Sequence, residues 1–179
     1  MSFPLPGRTL YHGSTVEVVA VDVTLGAPRK DFGRGFYTTT HLSQAERFAQ
    51  IKARRERLAA GYVSVFRMPD VEGLAIESFD RPDAAWFDFV LANRGFPQWT
   101  GLDSTRACDV VTGPVANDAV GLVLNQFIAG AFGEPGSSEA KATAVRLLEA
   151  QRLRDQVFFA TPEAAARLEL VEAYRVPVD

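Results

Sequence analysis

The sequence is short of the residues that most often carry metal or redox chemistry. Among 179 residues there are one cysteine, Cys108, and two histidines, His12 and His41. A single cysteine excludes an internal disulfide and a cysteine-based metal site. Two histidines without a helical ligand pair offer no zinc motif, so no metal is expected. No stretch approaches the ~20 apolar residues that span a bilayer as a helix. The start, MSFPLPGRTLYHG, lacks a basic region followed by a long apolar run, so no secretory signal and no membrane partner are expected. With a lone cysteine, this reads as a cytoplasmic protein. The net charge of −3 excludes the uniform positive field of a whole-chain nucleic-acid binder. No internal repeat is present.

What the chain does have is apolar mass. Hydrophobic residues make up 47% of it, and thirteen Phe stand against two Met and four Tyr. That is enough for one sizeable core, so residues 1–179 are read as a single domain. RTLYH, VEVVAVDV, GFYTTT, YVSVFRM, ACDVVTGPVA, DQVFFA and LVEAYRVPV read as strands or extended chain. At SQAERFAQIKARRERLAAG the period becomes helical, with Ser43 as N-cap, Glu46 completing a capping box and Gly61 as the stop. Further helices are expected from Pro82 to Gly95, over DAVGLVLNQFIAGAF, over SEAKATAVRLLEAQ and after Thr161–Pro162. GAFGEPGSSEA is a surface loop between two of them. Strands and helices mix without strict alternation, which predicts an α+β fold with antiparallel or mixed sheets.

Two stretches suggest chemistry. His12 ends a strand and Gly13 follows it. Such a histidine either holds its ring beside bare backbone facing a flat ligand, or simply bonds the main chain at the strand end. In DFGRGFYTTT, two glycines one residue apart precede Phe36 and Tyr37. Neighbouring strand residues point to opposite faces, so one ring can enter the core while the other lines a cleft. A tyrosine there suits stacking on a planar ring with its hydroxyl free to hydrogen-bond, or it is a half-exposed residue after a tight turn.

Together, YHG and DFGRGFYTTT resemble the ADP-ribosyltransferase superfamily, in its His-Tyr-Glu branch of diphtheria-toxin-type and poly(ADP-ribose) polymerase-type enzymes. The chain is more closely similar to a bacterial family with YHG, then DFGxGFY-T, then QA…(F/W)A. WFDFVLANR, DVVTGPVAND and a final Q-V-F-F-x-T strand agree in order, so the likeness runs from about Tyr11 to Leu168. It implies a single ADP-ribosyltransferase-like domain, with split mixed and antiparallel β-sheets flanked by helices. It implies NAD as substrate, His12 on the adenosine ribose, Gly13 backbone on the carboxamide, and Tyr37 beside Phe36 stacked on the nicotinamide. The third position of the branch is a glutamate; alignment of DQVFFA with that strand puts Gln156 there, as in the similar bacterial family. A glutamine can accept a hydrogen bond from a ribose hydroxyl but carries no charge and cannot act as a base. Losing such a charge costs ~2.7–4 kcal/mol of transition-state stabilisation.

The implied activity is an enzyme's: cleavage of NAD and transfer of ADP-ribose to a macromolecular acceptor, protein or nucleic acid. By analogy this suits a toxin with its antitoxin protein, or a phage-defence effector. An NAD glycohydrolase and a non-catalytic NAD- or nucleotide-binding module are the alternatives. Arg94, closing WFDFVLANR, could take NAD phosphates or interact with the helix end, and Asp88 and Asn93 precede it on that helix. Asp31 reads as a turn cap, Asn117–Asp118 as a helix N-cap, Trp86 and Trp99 as packing, Gln126 as an ordinary helix residue and His41 as surface. KARRERL reads as a solvated helix face.

Overall fold

Alternation in TLYHGS and AGYVSVFR makes two strands, β1 (Thr9–Ser14) and β3 (Ala60–Arg67), that pair antiparallel with His12 opposite Ser64. β3 pairs antiparallel with β7 (Glu169–Pro177), which completes a three-stranded sheet in the order β1-β3-β7. The second sheet runs β2 (Phe36–Thr38), β6 (Asp155–Phe159), β5 (Val110–Pro114), β4 (Ile76–Ser78). Its β2–β6 and β5–β6 pairs are antiparallel and its β4–β5 pair is parallel. The fold is thus α+β, with one antiparallel and one mixed sheet. The two sheets meet where Tyr11 and Thr39 exchange backbone hydrogen bonds of 2.8 and 2.9 Å. The structure, a computed structural model, describes residue 4, residues 6–100, 108–114, 118–149 and 155–178.

The apolar run of β6 follows from burial on both faces. Phe158 joins Val111 and the helical residues Trp86, Phe87, Leu124, Phe127 and Leu148 in one cluster. Val157 and Phe159 join Leu10, Phe36, Phe66 and Met68 in another. The helices are α1 (Leu42–Arg55), α2 (Ala84–Asn93), α3 (Asp118–Ile128), α4 (Ser138–Glu149) and α5 (Pro162–Ala166). α1 lies on the first sheet through Ala45, Ala49 and Ala53, one side chain per turn and all buried.

Four local expectations are corrected. VEVVAVDV forms no strand: the Val18 amide bonds Ser64 Oγ at 2.9 Å, Val18 and Val21 rest on the second cluster, and Val16 and Val19 are exposed. The N-cap of α1 is His41, not Ser43. Glu46 accepts from the Tyr174 hydroxyl of β7 at 3.4 Å, a tertiary contact in place of a capping box. Gly61 does not stop α1, which ends at Arg55 with Arg57 left-handed just beyond; Gly61 lies in β3 beneath Ala49. β4 was not foreseen: three residues beside a buried strand carry too short a pattern. The cap Thr161 and the terminal Gly95 fall as the sequence predicts, while α2 opens at Ala84 behind the cap Asp83 and not at Pro82.

Candidate functional site

His12 and Tyr37 lie on different sheets and are joined directly. His12 Nδ1 is 2.6 Å from the Tyr37 carbonyl oxygen. A carbonyl only accepts, so Nδ1 carries the proton and Nε2 presents a lone pair. Among the described residues Nε2 makes no hydrogen bond. Phe36 covers the imidazole, with centroids 4.4 Å apart and planes at 30°. Burial pushes the His12 pKa down to about 4; its bond to the Tyr37 carbonyl opposes this and the positive charge of Lys52 reinforces it. At neutral pH the ring is an uncharged, oriented hydrogen-bond acceptor.

The glycine turn is closed by Tyr37 itself. Its hydroxyl donates to the Gly33 carbonyl at 2.7 Å and accepts from the Phe32 amide at 3.0 Å. The expected free hydroxyl is therefore corrected: both its functions are committed inside the turn. Burial raises the phenol pKa strongly. The half-buried ring packs on Phe158, centroids 4.6 Å apart. Phe36 points the other way into the second cluster, as strand alternation predicts. Gly33 has φ +96°, the left-handed region that lets the chain turn back under the hydroxyl. Asn93 Oδ1 would lie 2.9 Å from a Cβ at Gly33, while its amide donates to Phe89 O at 2.9 Å.

Arg94, at the C-terminal end of α2, donates through Nε (3.0 Å) and Nη2 (2.5 Å) to Oδ1 of the buried Asp31. This pair ties the turn to α2 through the Asp31 side chain. Two of the three guanidinium nitrogens of Arg94 are thereby committed to the protein.

Gln156 is 5% exposed and its Nε2 donates to the Pro114 carbonyl at 3.4 Å, the same oxygen that Trp86 Nε1 reaches at 3.2 Å. Since Tyr37 stands opposite Phe158 and Gln156 is two residues from Phe158, Tyr37 and Gln156 share one face of the second sheet. The structure thus brings His12 to Tyr37, and sets Gln156 on the same face of the second sheet as Tyr37.

Gly13 is buried, but α1 covers it. A Cβ there would lie 2.1 Å from the Ala45 carbonyl oxygen, so helix packing demands the glycine. Asp88 turns away to Lys141 of α4, whose Nζ is 2.7 and 2.9 Å from its two oxygens. Trp86 is core, Trp99 stacks on Phe96 with centroids 5.5 Å apart, and Gln126 and His41 are exposed. Arg54 and Arg55 of KARRERL are exposed. Asp118 opens α3, and Asn117 lies outside the described residues.

Lys52, the first residue of KARRERL, departs from the solvated helix face expected of that stretch. It is half-buried on α1, with Nζ 5.2 Å from the Phe48 ring centroid. Its signal was an aromatic four residues before a lysine in a helix. Among the described residues no group of three or more His, Cys, Asp or Glu could hold a metal ion, and no helix is long and apolar enough to cross a membrane.

No curated protein and no solved structure matches the chain. A family model described as a protein of unknown function (DUF3990) matches residues 8–170, a span that holds His12, the glycine turn, Arg94 and Gln156. The chain belongs to the DUF3990 family.

Proposed function

We propose that this protein is an NAD-dependent ADP-ribosyltransferase. The observation that carries the reading is the His12–Tyr37 link of 2.6 Å, which fixes an uncharged imidazole with Nε2 as acceptor beside the tyrosine of the glycine turn. In this reading a ribose hydroxyl donates to His12 Nε2, and the exposed part of the Tyr37 ring lies against the nicotinamide. The bond between nicotinamide and ribose C1′ breaks, nicotinamide leaves with the bonding pair, and an acceptor nucleophile bonds C1′ as it loses its proton. Gln156 supplies dipole but no charge to the developing cation, so the acceptor must be reactive or bring its own base. A macromolecular acceptor, a cytoplasmic setting, and a role as a toxin held by an antitoxin or as a phage-defence effector complete the proposal.

A second reading, a non-catalytic NAD-binding module, is favoured by one observation. Gln156 is buried with its amide turned to the Pro114 carbonyl, an arrangement in which it serves the fold. Incubation with adenylate-labelled NAD in a cell extract separates the two. We expect nicotinamide release and label on protein or nucleic acid, both lost in His12→Ala. Free ADP-ribose without a labelled acceptor would make the protein a glycohydrolase. Binding by calorimetry without turnover would make it a module, and neither binding nor turnover would end the NAD reading.

A further inference from the structure

α1 differs in charge from the rest of the chain. It carries four of the nineteen basic residues, Arg47, Lys52, Arg54 and Arg55, and one of the twenty-two acidic ones, Glu46. The helix is therefore +3 on a chain of −3, which leaves −6 for everything else. Position on the helix decides where that charge points. Ala45, Ala49 and Ala53 face the sheet and are buried. Arg47, Arg54 and Arg55 fall at i, i+7 and i+8 on the opposite side, and all three are exposed. Phe48 stands in a row with Lys52 and Arg55 at i, i+4 and i+7. It is 50% exposed, with the Lys52 ammonium 5.2 Å from its ring centroid. The only carboxylate of the helix is turned aside, since Glu46 accepts from Tyr174 of β7.

Among the described residues Arg47, Arg54 and Arg55 form no ion pair. The field of the helix end accounts for cations in the last turn, Arg54 and Arg55, but not for Arg47 in the second turn. Like charges gathered on one face repel each other, and a polyanion laid across them would replace that repulsion with attraction. Three features decide which polyanion. The outward cations are arginines, whose planar fork matches phosphate oxygens bidentately. The half-exposed ring of Phe48 offers a face on which an unpaired base can stack. A bilayer would need an apolar helix face, and that of α1 is already covered by the sheet. A protein partner would need an apolar centre inside a polar rim, whereas here charge holds the middle of the face and Phe48 its side.

We propose that the outer face of α1 binds single-stranded nucleic acid, with Arg47, Arg54 and Arg55 on phosphates and Phe48 stacked on a base. The proposal is independent of the NAD reading. It is tested by fluorescence anisotropy of the intact chain with a fluorescein-labelled single-stranded RNA and the matching DNA, over a series of salt concentrations. Binding should weaken as salt rises, and replacing all three arginines by glutamine should flatten the slope of log affinity against log salt by about 2. Phe48→Ala should weaken binding about tenfold and leave that slope unchanged. Arg146→Gln removes an exposed cation from the last turn of another helix, α4, and should leave the affinity as it is. The substituted arginines are exposed, so melting temperatures should match the parent. If the triple variant melts early, Arg47→Gln alone reads the same effect as a slope flatter by about 0.7. No binding of either oligonucleotide, or a slope that Arg146→Gln flattens as much as Arg47→Gln, would overturn the proposal. So would arginine-dependent binding of phosphatidylserine vesicles or of polyglutamate without binding of the oligonucleotides, which would make the partner a membrane or an acidic protein.

Discussion

Helix α1 sets Ala45, Ala49 and Ala53 on the β1-β3-β7 sheet over Gly13 and Gly61, with Val63, Val65 and Val176 of the sheet in the same layer, whereas the β2-β6-β5-β4 sheet packs Phe32, Tyr37, Phe158 and Trp86. The first region brings backbone to backbone; His12, beside Gly13 in β1, points to the opposite face toward Phe36, with one nitrogen uncommitted. The second fills space with rings and turns its polar atoms inward: the Tyr37 hydroxyl to the turn, Trp86 and Gln156 to Pro114. The contrast teaches where ligand chemistry can reside. Hydrogen-bonding capacity toward a ligand sits with His12, on the face of β1 turned away from α1, and shape sits on the aromatic side.

The comparison can be broken most forcefully at Gly13. Gly13→Ala places a Cβ 2.1 Å from a backbone oxygen that no rotamer change can move. We expect a loss of about 3 kcal/mol in urea unfolding. A loss below about 1 kcal/mol would show that α1 is not held by backbone approach.

The uncommitted histidine gives the next largest effect. Its folded pKa of about 4 lies below its ordinary 6.5, so between these values the unfolded chain binds more protons and stability falls on acidification. The term is absent above about pH 7 and complete near pH 4. From pH 7 to pH 5 we expect it to remove about 2 kcal/mol. His12→Asn should therefore lose that much less stability than the parent across the same interval, measured by urea titration at both pH values. Equal losses would mean that the ring is not held neutral by burial.

The smallest effect sharpens the aromatic side. Tyr37→Phe keeps the ring against Phe158 but leaves the Phe32 amide and Gly33 carbonyl unpaired. We expect about 1 kcal/mol of destabilisation, with NAD affinity changed far less than by Tyr37→Ala. If Tyr37→Phe weakens NAD as much as the alanine variant, the hydroxyl contacts the ligand and leaves the turn to do so.

The fold class was legible because most strands and helices carry their own period and end signals: Thr161 and Gly95 could be read locally. The meeting of His12 and Tyr37 was implied by the resemblance alone, because two short strands beside glycines do not say which partner each will take. What escaped was tertiary. Glu46 is drawn to Tyr174 from a strand more than a hundred residues away, so the capping box does not form. Gly61 looks like a helix stop and is instead a seat for Ala49. VEVVAVDV has strand residues but finds no partner strand. At the site, the sequence showed a tyrosine after two glycines but not that its hydroxyl would reach back four and five residues to close the turn.

The alanine stripe of α1 has a further consequence. Alanine and glycine have no rotamers to lose, so docking α1 on β1 freezes almost no side-chain entropy at that contact. There is also nothing at the contact to repack through alternative conformers. The β1 backbone that carries His12 is therefore held against α1 at a spacing set by main chain alone. A ligand reaching His12 would meet a strand already fixed in place, and would not have to organise it on arrival.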